Sequence, residues 1–230
     1  MRSVQPVTSV RLMSTLVLTA MAICALWVAC LAGACAAPVG AAPRLAFARN
    51  GNIWTIAADG GGLKRLTSGS SYESAPAWSP GRGTIAYLSR LRASSSKHER
   101  LWVMRSDGSN RRRLAYVGPS LAGGSSALAY SPHGGLLAGG SKLGAQNEWA
   151  VTVLDLKART SRIVYRYTSA GGVQSLTWSP DGAELVAAIE YGGAYGMVRI
   201  GVTHDRLIKT RGTGNVESAS WRPDGKYLLC

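Results

Sequence analysis

The chain has 230 residues, with 26 Lys and Arg against 12 Asp and Glu, a formal charge of +14. That is long enough for one domain or for a short row of repeats. The cysteines at 24, 30 and 35 fall in or beside an apolar N-terminal run, and Cys230 is the last residue. This placement excludes an internal disulfide framework and a cysteine-held zinc centre from the remainder.

Arg2 and Arg11 precede an apolar run over residues 12–37, which ends in small residues before Pro38. A basic start, an apolar middle and a small-residue exit make a secretory signal. The run is also long enough for an uncleaved membrane anchor. A third reading, lipid attachment at Cys35, rests on resemblance to the bacterial lipoprotein signal, from which Ala32 departs by standing where Leu is usual. All three readings place the rest of the chain outside the cytoplasm, with residues 1–43 as signal or anchor and 44–230 as the folded part. Without Arg2 and Arg11 the balance is 24 basic to 12 acidic residues. It favours acidic partners such as anionic lipid or acidic glycan, against the plainer reading of a solubilising surface.

From residue 44 onward the chain reads as short strands. Arg44 to Arg49 predicts a first strand. Asn52 to Ala57 alternates, stops at Asp59-Gly60 and returns through Lys64-Arg65-Leu66. Arg100 to Arg105 does the same before Asp107-Gly108 and Arg113-Leu114-Ala115. Alternation that ends at Asp-Gly is a hairpin signal. A third copy at Trp149–Lys157 has a longer turn, and a fourth at Gly196–Ile200 is the most degraded.

Between these hairpins a second signal recurs: Trp78-Ser79-Pro80-Gly81, Tyr130-Ser131-Pro132-His133, Trp178-Ser179-Pro180-Asp181-Gly182 and Trp221-Arg222-Pro223-Asp224-Gly225. The aromatics at 78, 130, 178 and 221 are spaced by 52, 48 and 43 residues, the length of one four-stranded propeller blade. Pro cannot donate to a ladder and Gly takes the positive φ of a tight turn, so each unit is a turn between two strands.

These units resemble the repeat of the TolB family, a periplasmic six-bladed propeller whose blades carry a Trp-Ser-Pro-Asp-Gly turn. The resemblance covers residues 44–230, and residues 178–182 match it fully; Gly81, Tyr130 and His133 depart from it. It implies an all-β, TolB-like β-propeller with about four blades in this chain. Arg44–Arg49 aligns with the strand that follows such a turn, yet no turn precedes it, while Trp221–Lys226 is a turn with little after it. Residues 216–230 therefore either close a four-blade ring against the first sheet or belong to an incomplete ring of a six-bladed type. The incomplete ring is favoured because the resembled family has six blades, and its bare blades would invite self-association.

The chemistry-bearing residues do not assemble a catalytic set in the sequence. His98, His133 and His204 fall in three different blades without metal-ligand spacing. The serine runs at 94–96 and 125–126 read as loops, and Gly60-Gly61-Gly62 as a hairpin turn rather than a phosphate cradle. Glu73, Gln174 and Glu217 each precede their unit's Trp by four or five residues. In resembling propellers that stretch approaches one mouth of the channel, which makes the three candidate binding residues. Arg111, Arg112 and Arg113 form the one basic cluster, without the aromatic interleaving of a single-strand binder.

The expected function is non-enzymatic recognition of a protein, peptide or cell-envelope component, with no cofactor and no specific nucleic acid. The alternative is a carbohydrate-active lyase or hydrolase, or the propeller accessory part of a hydrolase, with two carboxylates as acid and base. A third reading is a fragment with no independent role.

Overall fold

The structure, a computed structural model, describes residues 43–92, 99–121, 127–144, 147–169, 171–191, 194–202, 207–208, 216 and 218–229. The expected leader or anchor, the serine runs, His98, His204 and Glu217 lie outside the described residues.

The described elements are all β. The first sheet has three strands, β1 (Arg44–Arg49), β2 (Asn52–Ala57) and β3 (Lys64–Arg65). The second has four: β4 (Ser71–Trp78), β5 (Thr84–Leu91), β6 (Arg100–Arg105) and β7 (Arg112–Arg113). The third follows the same order with β8 (Leu128–Tyr130), β9 (Leu136–Lys142), β10 (Glu148–Asp155) and β11 (Thr160–Thr168). The fourth comprises β12 (Val173–Trp178), β13 (Glu184–Tyr191), β14 (Ala194–Gly201) and β15 (Leu207–Ile208). Last come β16 (Ser220–Trp221) and β17 (Leu228–Leu229), paired with each other. Every sheet is an antiparallel meander, as the hairpin signals predict.

The ladders fix the repeat residue by residue. Phe47 lies opposite Trp54 in the first sheet and Tyr87 opposite Trp102 in the second. β1 is therefore the counterpart of β5, the second strand of a complete sheet. Its other edge is unpaired among the described residues, because no strand stands where β4 flanks β5. Among the described residues no ladder joins β16 or β17 to β1, and the four-blade closure, one of the two expectations for the chain ends, is not seen there.

The turn units share one geometry. In each, a backbone N–H bonds back three residues: Arg82 to Ser79, Gly134 to Ser131, Gly182 to Ser179 and Gly225 to Arg222, all at 2.8–2.9 Å. The donor residue has positive φ in every copy, 72° at Gly134, 72° at Gly182 and 70° at Gly225. In the copy that reads Ser-Pro-Gly-Arg, the left-handed position falls on Arg82, at φ 52°. The Asp-Gly hairpins are Asx turns, with Asp59 and Asp107 each accepting the N–H two residues on at 2.8 Å, and Asp155 does the same in the longer third turn.

The apolar content lies between successive sheets. Along β5, Ile85 and Tyr87 pack with Ile53 and Leu66 of the first sheet's hairpin, while Ala86 and Leu88 pack with Leu128 and Leu137 of the third sheet. Ala138, Val151, Leu185 and Ala187 continue the pattern between the third and fourth sheets. Because both faces of these strands are covered, they read as near-continuous apolar runs rather than as strict alternation.

Candidate functional site

The recurrent polar residues of the turn units serve the turns themselves. The Oγ of Ser79, Ser131 and Ser179 accepts the N–H five residues on, at 3.2, 3.1 and 2.9 Å. Asp181 accepts from Ser179 Oγ and from Ala183 N–H, and these hydrogen bonds hold its carboxyl below the usual range. Asp107 is lowered in the same way by Ser109. Two of the motif aromatics bond back to the preceding sheet. Trp178 donates its indole N–H to the Ala129 carbonyl at 3.0 Å, and Tyr130 makes a side-chain hydrogen bond with Thr84. The turn motif in the sequence carries no sign of these inter-sheet bonds.

Glu73 and Gln174 sit in strands β4 and β12, in two different sheets, rather than in connecting segments. They are also not equivalent. Glu73 lies opposite Ser89 and Val173 opposite Ile189, so the counterpart of Glu73 is Val173. Two different irregularities separate them from their tryptophans: β4 shifts register between Ser74 and Ala77, and β12 between Val173 and Ser175, where Gln174 is left without a partner in the ladder. Gln174 is accordingly exposed, whereas Glu73 is buried with Oε2 unpartnered. Glu73 stands near Tyr87, whose phenol is pushed up to about 12, first by burial and then by the Glu73 charge, with Arg111 opposing. Glu217 lies outside the described residues.

Arg111 precedes β7, and Arg112 and Arg113 form it, paired with Val103 and Trp102. All three are exposed. The ladders add two residues that the sequence reading passed over: Lys64 and Arg65 form β3, which pairs with Thr55 and Trp54 just as β7 pairs with β6. The outermost strands of the first two sheets thus carry the same pair of exposed cations. Superposing the repeats would have shown this in the sequence. The rims are tied together, because Lys64 Nζ donates to the Asp107 carbonyl at 3.0 Å. Arg113 also borders a cleft of about 230 Å³ with Glu99, Arg100 and Tyr116. This exposed row of cations can attract a polyanion. Among the described residues, no three His, Cys, Asp or Glu side chains gather as metal ligands.

No protein-family model matches the sequence, and no curated protein matches it either. Solved structures do resemble the fold. TolB from Acinetobacter baumannii is 18% identical with a TM-score of 0.63, over 80% of this chain and 46% of that one. Kuenenia stuttgartiensis hydrazine synthase is 19% identical with a TM-score of 0.56, over 77% of this chain and 48% of that one. An oligogalacturonate lyase in complex with manganese is 17% identical with a TM-score of 0.51, over 66% and 41%. The chain therefore spans less than half the length of each of these structures. The likeness defines an all-β fold of the β-propeller type, shared by proteins with and without catalytic names.

Proposed function

We propose that residues 44–230 form a TolB-like propeller region of an exported protein that binds a protein, peptide or cell-envelope component and does no chemistry on it. The ring is open, with about four blades in this chain. The observation that carries the reading is that the recurrent Ser and Asp groups hold the turns, as at Ser179 and Asp181, and that Trp178 is tied to the preceding sheet. What is left facing solvent is a scaffold surface with a basic rim at Lys64, Arg65 and Arg111–Arg113. Rigid strands carrying variable loops suit recognition. The apolar leader in the sequence and the likeness to TolB support a place outside the cytoplasm.

The test is a screen of envelope glycans, anionic lipids and envelope proteins for saturable binding, with product analysis on every binder. Binding without product is expected. The buried carboxylate of Glu73 and the likeness to a lyase give the competing reading its content. Turnover of an oligosaccharide that disappears in Glu73→Gln would establish an enzyme instead.

A further inference from the structure

The second sheet sorts its cations between its two sides. β6 and β7 belong to a four-stranded sheet, with a described sheet before it and another after it. Trp102 lies opposite Arg113 and Val103 opposite Arg112. Side chains alternate along a strand, so Arg100, Trp102 and Arg113 share one side of the sheet and Arg112 stands on the other. The reach of the charges agrees. Arg111, two residues from Arg113, acts on Tyr87, which packs with Ile53 and Leu66 of the first sheet, whereas Arg112 acts on Tyr130 of the third.

Arg100 and Arg113 border the cleft of about 230 Å³ between the start of β6 and the segment that crosses to the third sheet, together with Glu99, Tyr116 and Ser120. Both arginines are exposed, and among the described residues neither makes a side-chain hydrogen bond or an ion pair. The Tyr116 hydroxyl accepts the Leu121 N–H at 2.8 Å, which leaves its own proton to donate. Glu99 Oε1 accepts from Ser74 Oγ at 3.5 Å, and its carboxylate has further lone pairs to offer. The lining therefore presents two guanidinium forks and a phenol proton to an anionic group, and a carboxylate to a hydroxyl beside it.

We propose that this cleft binds one acidic sugar unit of an anionic glycan, with its carboxylate or sulfate on Arg100 and Arg113 and a neighbouring hydroxyl on Glu99. The proposal rests on the recognition function given above and names its partner class. An acidic sugar carries an oxyanion and hydroxyl donors on one small ring, which is the combination the lining matches. A guanidinium takes such an oxyanion through two parallel hydrogen bonds, a geometry that a lysine ammonium does not reproduce. The volume is below the roughly 300–1,000 Å³ of a site that encloses a drug-sized ligand, so the cleft takes one unit and leaves the rest of the chain outside. A bilayer surface cannot enter a concave site, and the carboxylates of an acidic peptide bring no donor for Glu99. Arginine on an outermost strand also discourages pairing with another chain. That role accounts for Arg112 and Arg113 alike, but not for Arg100 on β6 or for the cleft.

The experiment titrates a heparin hexasaccharide into the full chain in mild detergent at physiological salt, read by calorimetry. Saturable one-to-one binding is expected. Arg113→Lys keeps the charge but loses the fork, and should weaken binding about fivefold, as should Arg100→Lys. Arg113→Ser should weaken it about tenfold or more, the equivalent of one lost charge-assisted hydrogen bond. Arg112→Ser removes the same charge from the other side of the sheet and should cost less than about threefold. These side chains are exposed, and circular-dichroism spectra matching the parent's check that each variant is folded. Equal losses in Arg112→Ser and Arg113→Ser, or full affinity in both lysine variants, would overturn the cleft and leave a diffuse field. A wild type without affinity for the hexasaccharide would also overturn it, as would tighter binding of polyglutamate or of phosphatidylglycerol vesicles. Product analysis of the titrated sugar keeps the two readings apart: cleavage would sink the non-catalytic function, while the arginine series still decides the site.

Discussion

The indole N–H of Trp178 and the carbonyl of Ala129 meet at 3.0 Å across the boundary between the third and fourth sheets. Each belongs to the first strand of its own sheet, so the bond ties one sheet to the next. Trp178 is 6% exposed and packs with Leu185, Val173 and Trp149 in the largest apolar cluster. Replacing Trp178 with Phe removes the donor, strands the carbonyl and leaves a small void. A loss of roughly 1–3 kcal/mol is expected from these effects together. Trp78→Phe removes an indole N–H that has no partner and should cost less at the hydrogen-bond level. Urea denaturation of the two variants side by side checks the ranking. Equal losses would show that the Trp178 bond adds nothing beyond packing.

Arg82 holds the left-handed position that Gly134, Gly182 and Gly225 hold in the other turns. A residue with a Cβ costs about 1–2 kcal/mol in that conformation, and glycine gives back about 0.5–1 kcal/mol through its unfolded-state entropy. Arg82→Gly should therefore stabilise the protein by roughly 0.5–1 kcal/mol, through relief of backbone strain alone. The reverse change, Gly182→Arg, should destabilise it by a similar or larger amount. Thermal unfolding decides the matter, and a lower melting temperature for Arg82→Gly would refute the strain argument.

These turns also show what a single sequence can and cannot convey. The Trp-Ser-Pro-Asp-Gly units were legible because proline and glycine have backbone requirements that no tertiary context removes, and their spacing gave the sheet repeat. The left-handed Arg82 was not read, although Gly81 in the place of Asp had already flagged that copy as irregular. Glu73 and Gln174 appear equivalent when counted back from their tryptophans. A bulge adds residues to a strand without adding ladder partners, and the two strands bulge at different places. Whether the first and last sheets pair depends on a long-range ladder that leaves no local mark. Lys64 and Arg65 were visible all along but only by alignment with Arg112 and Arg113, because two cations in isolation do not stand out in a basic chain.

Tyr87 predicts the alkaline limit of stability. Burial and the neighbouring Glu73 raise its phenol to about 12, above the value of about 10 of an unfolded chain. The folded state therefore keeps the proton that the unfolded state gives up. The associated stability is full below pH 10 and is lost as pH rises from about 10 to about 12. Tyr167 is raised in the same direction, chiefly by burial, with Tyr165 and Glu190 adding to it. Tyr87→Phe should make the fall in stability across this window shallower, with the remainder left to Tyr167. Denaturation midpoints at pH 9, 10 and 11 provide the check, and an unchanged slope in the variant would remove Tyr87 from the account.

The basic rim predicts a salt-sensitive attraction that is spread over two sheets. Arg111, Arg112 and Arg113 are exposed, and Lys64 and Arg65 stand at the matching outer strand of the neighbouring sheet. Exposed charges are screened over about 8 Å at physiological ionic strength, so attraction to a flexible polyanion should weaken steeply as salt is added. Changing Arg111, Arg112 and Arg113 to Ser should reduce heparin affinity and flatten its dependence on salt. Adding Lys64→Ser and Arg65→Ser should reduce both further, because the two rims present one continuous field to a long anion. None of these residues is buried, so the folded stability of the variants should stay within about 0.5 kcal/mol of the parent. Heparin or anionic-vesicle binding at several salt concentrations measures the effect. If the five-residue variant keeps the parent's affinity and salt slope, the rim is a solubilising surface and the acidic ligand, if any, binds elsewhere.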